Sequence, residues 1–316
     1  MLGDVGATIL LAFGLLISHQ GVKMHVMLKR VLCFMVLQWL VVSAQAAGDK
    51  GLFWRVESGG ATAYLLGAIH FGSDEFYPMR REIMDAFKRS DVLVVEMDDK
   101  AIPPEKQQEI IQRMAFYPNG ETIHDHLSPE TIKLLKERLS LHQIPLQAIE
   151  RQRIGFIELT LAALEAMRLG YSQDRGIDYY FMSQARGSKP IREIESFQEQ
   201  MELVMKLPEV EEATREELSR MDEYEQLWGE MATAWKKGDA DAMYRLAISE
   251  PLKETPAAKP VYELMFDGRN PKMAKSVETC LKNREVCFVV VGAGHLVGPG
   301  SVVDLLQKQG YQVSQQ

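Results

Sequence analysis

Two histidines, each three residues behind a glycine, mark where this chain could do chemistry: Gly67-Ala68-Ile69-His70 and Gly292-Ala293-Gly294-His295. Each motif closes an apolar run of strand character, Ala63-Tyr64-Leu65-Leu66 before the first and Cys287-Phe288-Val289-Val290-Val291 before the second. Open α/β sheets bind their ligands at the carboxyl ends of strands. An imidazole placed there can serve as metal ligand or general base, because it titrates near neutrality. The glycine permits tight backbone geometry beside it. The same strand–G-x-x-H–loop–helix–strand unit occurs twice, which predicts one shared site, most naturally a metal site holding His70 and His295.

Acidic residues extend this constellation. Glu96 ends the run Asp91-Val92-Leu93-Val94-Val95, where a carboxylate is costly unless it is paired, protonated or metal-bound; it is a candidate ligand or base. Glu195 ends the short segment Ile191-Arg192-Glu193-Ile194 and is a candidate base on the same argument. Asp98 and Asp99 read as a solvated turn. Asp178, two residues past Gly176, either favours a helix N-terminus or contacts substrate. Arg269 either holds a substrate carboxylate or developing oxyanion or pairs with a surface acid. Its neighbour Asn270 is a further candidate for substrate contact. His124 and His126 precede Ser128 in a polar stretch and read as surface loop, and His142 as a helix end. There is no H-E-x-x-H helix, G-x-S-x-G elbow, phosphate-cradling loop or cysteine zinc cluster.

The elements that must position these side chains follow from the apolar pattern. Gly51 to Glu57 and Ala61 to Ile69 predict a hairpin around Ser58-Gly59-Gly60. A helix is expected from Pro78 to Ser90, then a buried strand over 91–97. Helices are expected from Ser128-Pro129, over 154–169 ending at Gly170, over 176–186 and over 197–207. One long Glu-rich helix is expected over 208–235, with a solvated acidic face, then a helix over 239–249 and a loop over 253–259. Asn270-Pro271 is expected to cap a helix to Lys282. The fold class is therefore α/β: two related βαβ-like halves forming one mixed sheet, with a large helical insertion between them.

Targeting and charge bound the setting. Lys29-Arg30, the apolar stretch Val31 to Val42 and Ser43-Ala44-Gln45-Ala46-Ala47 make a signal peptide with cleavage after Ala46. The earlier apolar stretch Ala7 to Ile17 is short for a membrane span; residues 1–23 are either a mis-called start or an added membrane segment. This divides the chain into a leader over 1–46 and one domain over 47–316. Leader removal takes away one acid and three cations, carrying the formal net charge from -8 to -10. Such an acidic exported domain is a poor polyanion binder, which excludes nucleic acid as a partner. Membrane attachment would come only through an uncleaved leader. Cys280 and Cys287 either form a disulfide in the oxidising periplasm or stay as small core residues.

Taken together, these segments resemble the TraB/GumN family, which also includes the Tiki-type proteins. The resemblance rests on Tyr64 to His70, Val94-Val95-Glu96-Met97-Asp98, Gly176-Ile177-Asp178 with Phe181, Glu195 with Gln200, Arg269-Asn270 with Met273-Ala274, and Val290 to Gly298. It implies an α/β domain of two related halves and a divalent-metal site at His70, Glu96 and His295. It also implies a metal-dependent peptidase activity favouring manganese or cobalt, with zinc possible from the two imidazoles. Other members are linked to pheromone shutdown or stand beside polysaccharide genes. Arg151-Gln152-Arg153-Ile154-Gly155 departs from a Lys-Pro-Trp-like stretch of many relatives. The expected function is an exported divalent-metal-dependent hydrolase acting on a peptide or small molecule. The alternatives are a periplasmic binding protein for a peptide or glycan, and a membrane-anchored assembly factor.

Overall fold

Six strands form one mixed sheet in the order β4-β3-β5-β2-β1-β6 in the computed structural model, which describes residues 50–205 and 208–316. The leader, and with it both readings of residues 1–23, lies outside the described residues. Strands β1 (Phe53–Ser58) and β2 (Ala61–Ala68) make the expected hairpin, and Gly59 and Gly60 take the positive φ values, 55° and 83°, that a tight turn requires. Strand β3 (Val92–Val95) and the short β4 (Ile191–Glu193) lie on one side of β5 (Cys287–Gly292), while β2 lies on the other. All these contacts are parallel, whereas β6 (Gln312–Gln315) runs antiparallel to β1 at the opposite edge.

The parallel centre explains the apolar runs. β3 and β5 are buried along their whole length because helices cover both faces. Phe288 of β5 packs its ring against Phe87 and Phe181, with centroids 5.5 and 4.8 Å apart. Burying each such ring contributes about 1.5–3 kcal/mol.

The helices are α1 (Arg81–Arg89), α2 (Pro104–Met114), α3 (Pro129–Leu141), α4 (Ile154–Arg168), α5 (Ile177–Ala185) and α6 (Phe197–Met205). They continue with α7 (Glu211–Arg220), α8 (Tyr224–Lys237), α9 (Asn270–Lys282) and α10 (Val302–Lys308). Ser128 caps α3 as expected, its hydroxyl accepting from Thr131 N–H. Helices α3, α4 and α7 gather around a second core, with Leu135, Leu139, Ile157, Leu161 and Leu218, distinct from the core on the sheet. These helices belong to the chain between β3 and β4 and, for α7, between β4 and β5.

Three expectations need correction. The Glu-rich segment is two helices, α7 and α8, parted by a 3-10 turn at Met221–Glu223. Arg138 of α3 donates to the carbonyls of Leu218 and Ser219, ending α7, while Met221 buries its side chain. Residues 253–259 are successive helical turns rather than a loop. Asn270 is the first residue of α9, and its side chain does not cap that helix.

The element order strand–loop–helix–strand does recur, but the halves differ at the histidines. After β2 the chain passes through Ile69 to a bend at His70, whereas after β5 it turns into a 3-10 helix, Ala293–Leu296, containing His295. Cys280 of α9 and Cys287 of β5 form a disulfide, their Cα atoms 6.0 Å apart. Among the described residues, their donor atoms and that of Glu285 lie within 4.8 Å of one another, but both sulfurs are committed to the bridge and Glu285 pairs with Arg192. No described helix is long and apolar enough to cross a membrane.

Candidate active site

The carboxyl ends of the four parallel strands converge on one cluster. His70 follows β2, Glu96 follows β3, Glu195 follows β4 and His295 follows β5. Arg269 and Asn270 enter from the start of α9, and Asp178 from the first turn of α5. All seven residues singled out in the sequence therefore belong to one connected site.

Gly292, the first residue of the second motif, stands at its centre. A Cβ there would lie 3.1 Å from His70 Nε2, 3.2 Å from Glu96 Oε1 and 3.5 Å from His295 Cδ2, so glycine keeps a small space open between them. Its N–H donates to Glu96 Oε1 at 2.5 Å. The glycine thus serves close approach.

Arg269 is 8% exposed and lies against both glutamates. Its Nη2 donates to Glu96 Oε2 at 2.7 Å and to Glu195 Oε2 at 2.6 Å, and Nε donates to Glu195 Oε1 at 3.0 Å. Nη1 meets His295 Nε2 at 3.1 Å and Met265 O at 3.4 Å. Burial opposes the guanidinium charge, but Glu195 and Glu96 hold its pKa above the usual arginine value. Burial also opposes ionisation of Glu96. His295, charged only at the acid pH where Glu96 itself titrates, then His70, Arg269 and the Gly292 N–H outweigh it and hold Glu96 down at about 2.

The two histidines differ. His70 keeps 51% of its side-chain surface open, and its Nδ1 lies 2.9 Å from Asp178 Oδ2. Desolvation in this depression disfavours its charge, but Asp178 and then Glu96 prevail and push its pKa up to about 9. His295 is buried, with Nδ1 2.7 Å from Asn270 Oδ1. Desolvation carries its pKa down to about 4.

A divalent ion can be tested against these donors. His70 Nε2 engages no protein group among the described residues and faces the Gly292 space together with Glu96 Oε1. Its Nδ1 rests on a carboxylate, the usual support of a metal-ligating imidazole. Glu96 and Glu195 share the single guanidinium of Arg269 and Asp178 adds a third carboxylate behind His70, so negative charge is left over. Donors and charge therefore fit an ion at His70 and Glu96. His295 directs Nε2 toward Arg269, 3.1 Å away, with Glu96 Oε1 farther off at 3.8 Å, and its Cδ2 is the ring atom nearest that space.

Sequence reasoning left one member without a role. Gln200, in the first turn of α6, donates to Glu195 Oε2 at 3.2 Å and to Glu96 Oε2 at 3.4 Å. Its signal was the spacing from Glu195, one turn into a helix that starts at Phe197. Arg269 contacts acids as one of its two readings had it, but in the interior rather than on the surface. Asn270 points its amide at His295 and Gly300 O. Asp98 pairs with Arg186, His126 stacks on Tyr117 between Glu121 and Glu209, and His142 pairs with Glu165; none of these contacts the seven site residues.

Comparison with known proteins bears on the same span. The profile of the TraB/PrgY/gumN family matches residues 52–315. A protein of Shigella flexneri named "Uncharacterized protein YbaP" is 24% identical over 254 residues, covering 79% of this chain and 89% of that relative. Its namesake in Escherichia coli (strain K12) is 24% identical over 249 residues, covering 77% and 87%. No solved structure gives a significant match.

Proposed function

The chain belongs to the TraB/PrgY/gumN family, and we propose that within it this protein is an exported hydrolase of peptidase type that uses a divalent ion at His70 and Glu96. The observation that carries the reading is the pair of donor atoms, His70 Nε2 and Glu96 Oε1, turned to one space at Gly292 with uncompensated negative charge around it. Manganese or cobalt suits the carboxylate-rich surroundings, and zinc suits the imidazole. When bound, such an ion supplies Lewis acidity for a substrate carbonyl.

The chain's own residues supply the rest. Asp178 accepts from His70 Nδ1–H and so presents Nε2 to the site. Arg269, Gln200 and Gly292 N–H hold Glu96 in one orientation. Glu195 is tied by Arg269 through both oxygens, which suits it to anchoring the arginine rather than to moving protons. The exposed face of His70 is where substrate enters. The substrate is a peptide or another small carbonyl compound, and the setting is the periplasm.

The test is elemental analysis of the purified protein after exposure to Mn²⁺, Co²⁺ and Zn²⁺, beside His70→Ala and Glu96→Gln. The reading expects near-stoichiometric metal in the wild type, lost in both variants. A wild type that takes up none of the three ions would overturn it.

A further inference from the structure

We infer that His295, although it repeats the spacing of His70, is a positioning residue and not a metal ligand: Asn270 holds it in one neutral tautomer, and it spends its free lone pair on Arg269. This builds on the proposed site but departs from a ligand set of two paired histidines.

Donor logic fixes the tautomer. The carbonyl of Gly300 can only accept, so the Asn270 atom facing it at 2.9 Å is the amide nitrogen. The other face of that amide is therefore Oδ1, which also can only accept. It lies 2.7 Å from His295 Nδ1, so Nδ1 carries the proton. On the opposite side of the ring, Arg269 Nη1 can only donate, so Nε2 at 3.1 Å must be unprotonated. Both neighbours demand the same species. A ring with both nitrogens protonated would set an N–H against the guanidinium, and the other tautomer would fail at both ends.

The ring is also held mechanically. Phe266 lies against it with centroids 5.1 Å apart, and the same phenyl approaches Gly294 so closely that a Cβ there would stand 2.7 Å from it. His295 is only 4% exposed. The ring atom nearest the space at Gly292 is carbon, Cδ2, and Nε2 stands 3.8 Å from Glu96 Oε1, farther than from the Arg269 Nη1 it accepts from.

The guanidinium inventory shows what this orientation achieves. Nε faces Glu195, Nη2 bridges Glu195 and Glu96, and Nη1 reaches His295 and Met265 O. All five N–H groups are directed at protein acceptors, so none is left for a substrate carboxylate. Arg269 is a fixed positive charge that aims Glu96 at the same space as His70. Asn270 and His295 complete the line from the Gly298-Pro299-Gly300 loop to that charge.

The experiment is nitrogen-15 NMR of the whole protein labelled at histidine, first without metal and then with Zn²⁺. The metal-free spectrum is expected to show His295 protonated at Nδ1 and unprotonated at Nε2. On adding Zn²⁺ the His70 ring nitrogens should shift while the tautomer pattern of His295 stays. Zinc affinity, measured calorimetrically, should fall at least tenfold in H70A and change less than twofold in H295Q, whose amide keeps an acceptor for Arg269. A His295 protonated at Nε2, a zinc-dependent loss of its tautomer pattern, or an H295Q affinity as weak as that of H70A would each overturn the inference. The metal-free spectrum decides the tautomer even if zinc does not bind, which separates this failure from that of the proposed function.

Discussion

The two G-x-x-H segments carry one spacing into opposite environments. The first leaves β2 through a bend with no helix, and His70 keeps half its surface open with a carboxylate at its back. The second turns at once into a 3-10 helix, which folds His295 inward among Asn270, Arg269 and Phe266. One imidazole is drawn toward its charged form and the other kept neutral. A repeated motif thus specifies where a side chain starts, while the neighbours it meets decide its role.

The largest effect that would sharpen this contrast comes from Arg269. Replacing it by methionine leaves Glu96 and Glu195 buried without their counterion, and breaking a buried pair in this way costs about 3–5 kcal/mol. Urea unfolding of Arg269→Met should show that loss. Asp178→Ala, on the His70 side, removes the partner of a half-exposed imidazole and should cost less than Arg269→Met. Its effect belongs in function instead: losing the carboxylate behind a metal-bound imidazole weakens metal binding by about 10–100-fold. If Asp178→Ala unfolded the protein as readily as Arg269→Met, the division between an anchoring half and a working half would fail.

The second effect concerns the bridge on the His295 side. Cys280–Cys287 ties the end of α9 to the start of β5, both of which carry members of the second-motif network. Closing so short a loop stabilises by about 2–3 kcal/mol through the unfolded chain. The double serine variant should lose that amount in urea unfolding while His70 keeps its nitrogen resonances. A spectrum in which His70 moved as much as His295 would show that the two sides are mechanically one.

Much of this was legible in the chain because strand ends are. Apolar runs marked β2, β3 and β5, and the polar residues closing them, His70, Glu96 and His295, had to lie on one edge once the strands ran parallel. Glu195 and Arg269 followed from cost: a charge beside an apolar run must find a partner. The partners themselves were not legible. That Arg269 spans Glu96, Glu195 and His295 depends on how α9 docks, and that Asn270 serves His295 rather than its own helix depends on the carbonyl of Gly300. The break between α7 and α8 was hidden for the same reason, since Arg138 makes it from about 80 residues away. Local pattern places elements; contacts across the sheet assign roles.

The smallest effect follows from titration, and it sets the two histidines against each other in metal-free protein. The folded pKa of His70 lies above its unfolded value, at about 9 against 6.5. Between these values the folded state binds the extra proton, so the stability contributed by His70 is complete below about 6.5 and is lost as pH rises through about 9. His295 is the reverse, with about 4 in the folded state against 6.5 unfolded. There the unfolded chain binds the extra proton, so stability falls as pH drops from about 6.5 toward 4. The acid limb also includes Glu96, whose folded pKa of about 2 lies below the ordinary 4.5 and whose contribution is lost at still lower pH. The share of unfolding free energy contributed by these three groups, read with chelator present as wild type minus variant, should therefore peak near pH 6.5. His70→Gln should flatten the alkaline side alone, and His295→Gln the acid side between about 4 and 6.5 alone. If one substitution flattened both sides, the two rings would be titrating as one coupled unit, and their separate roles would have to be abandoned.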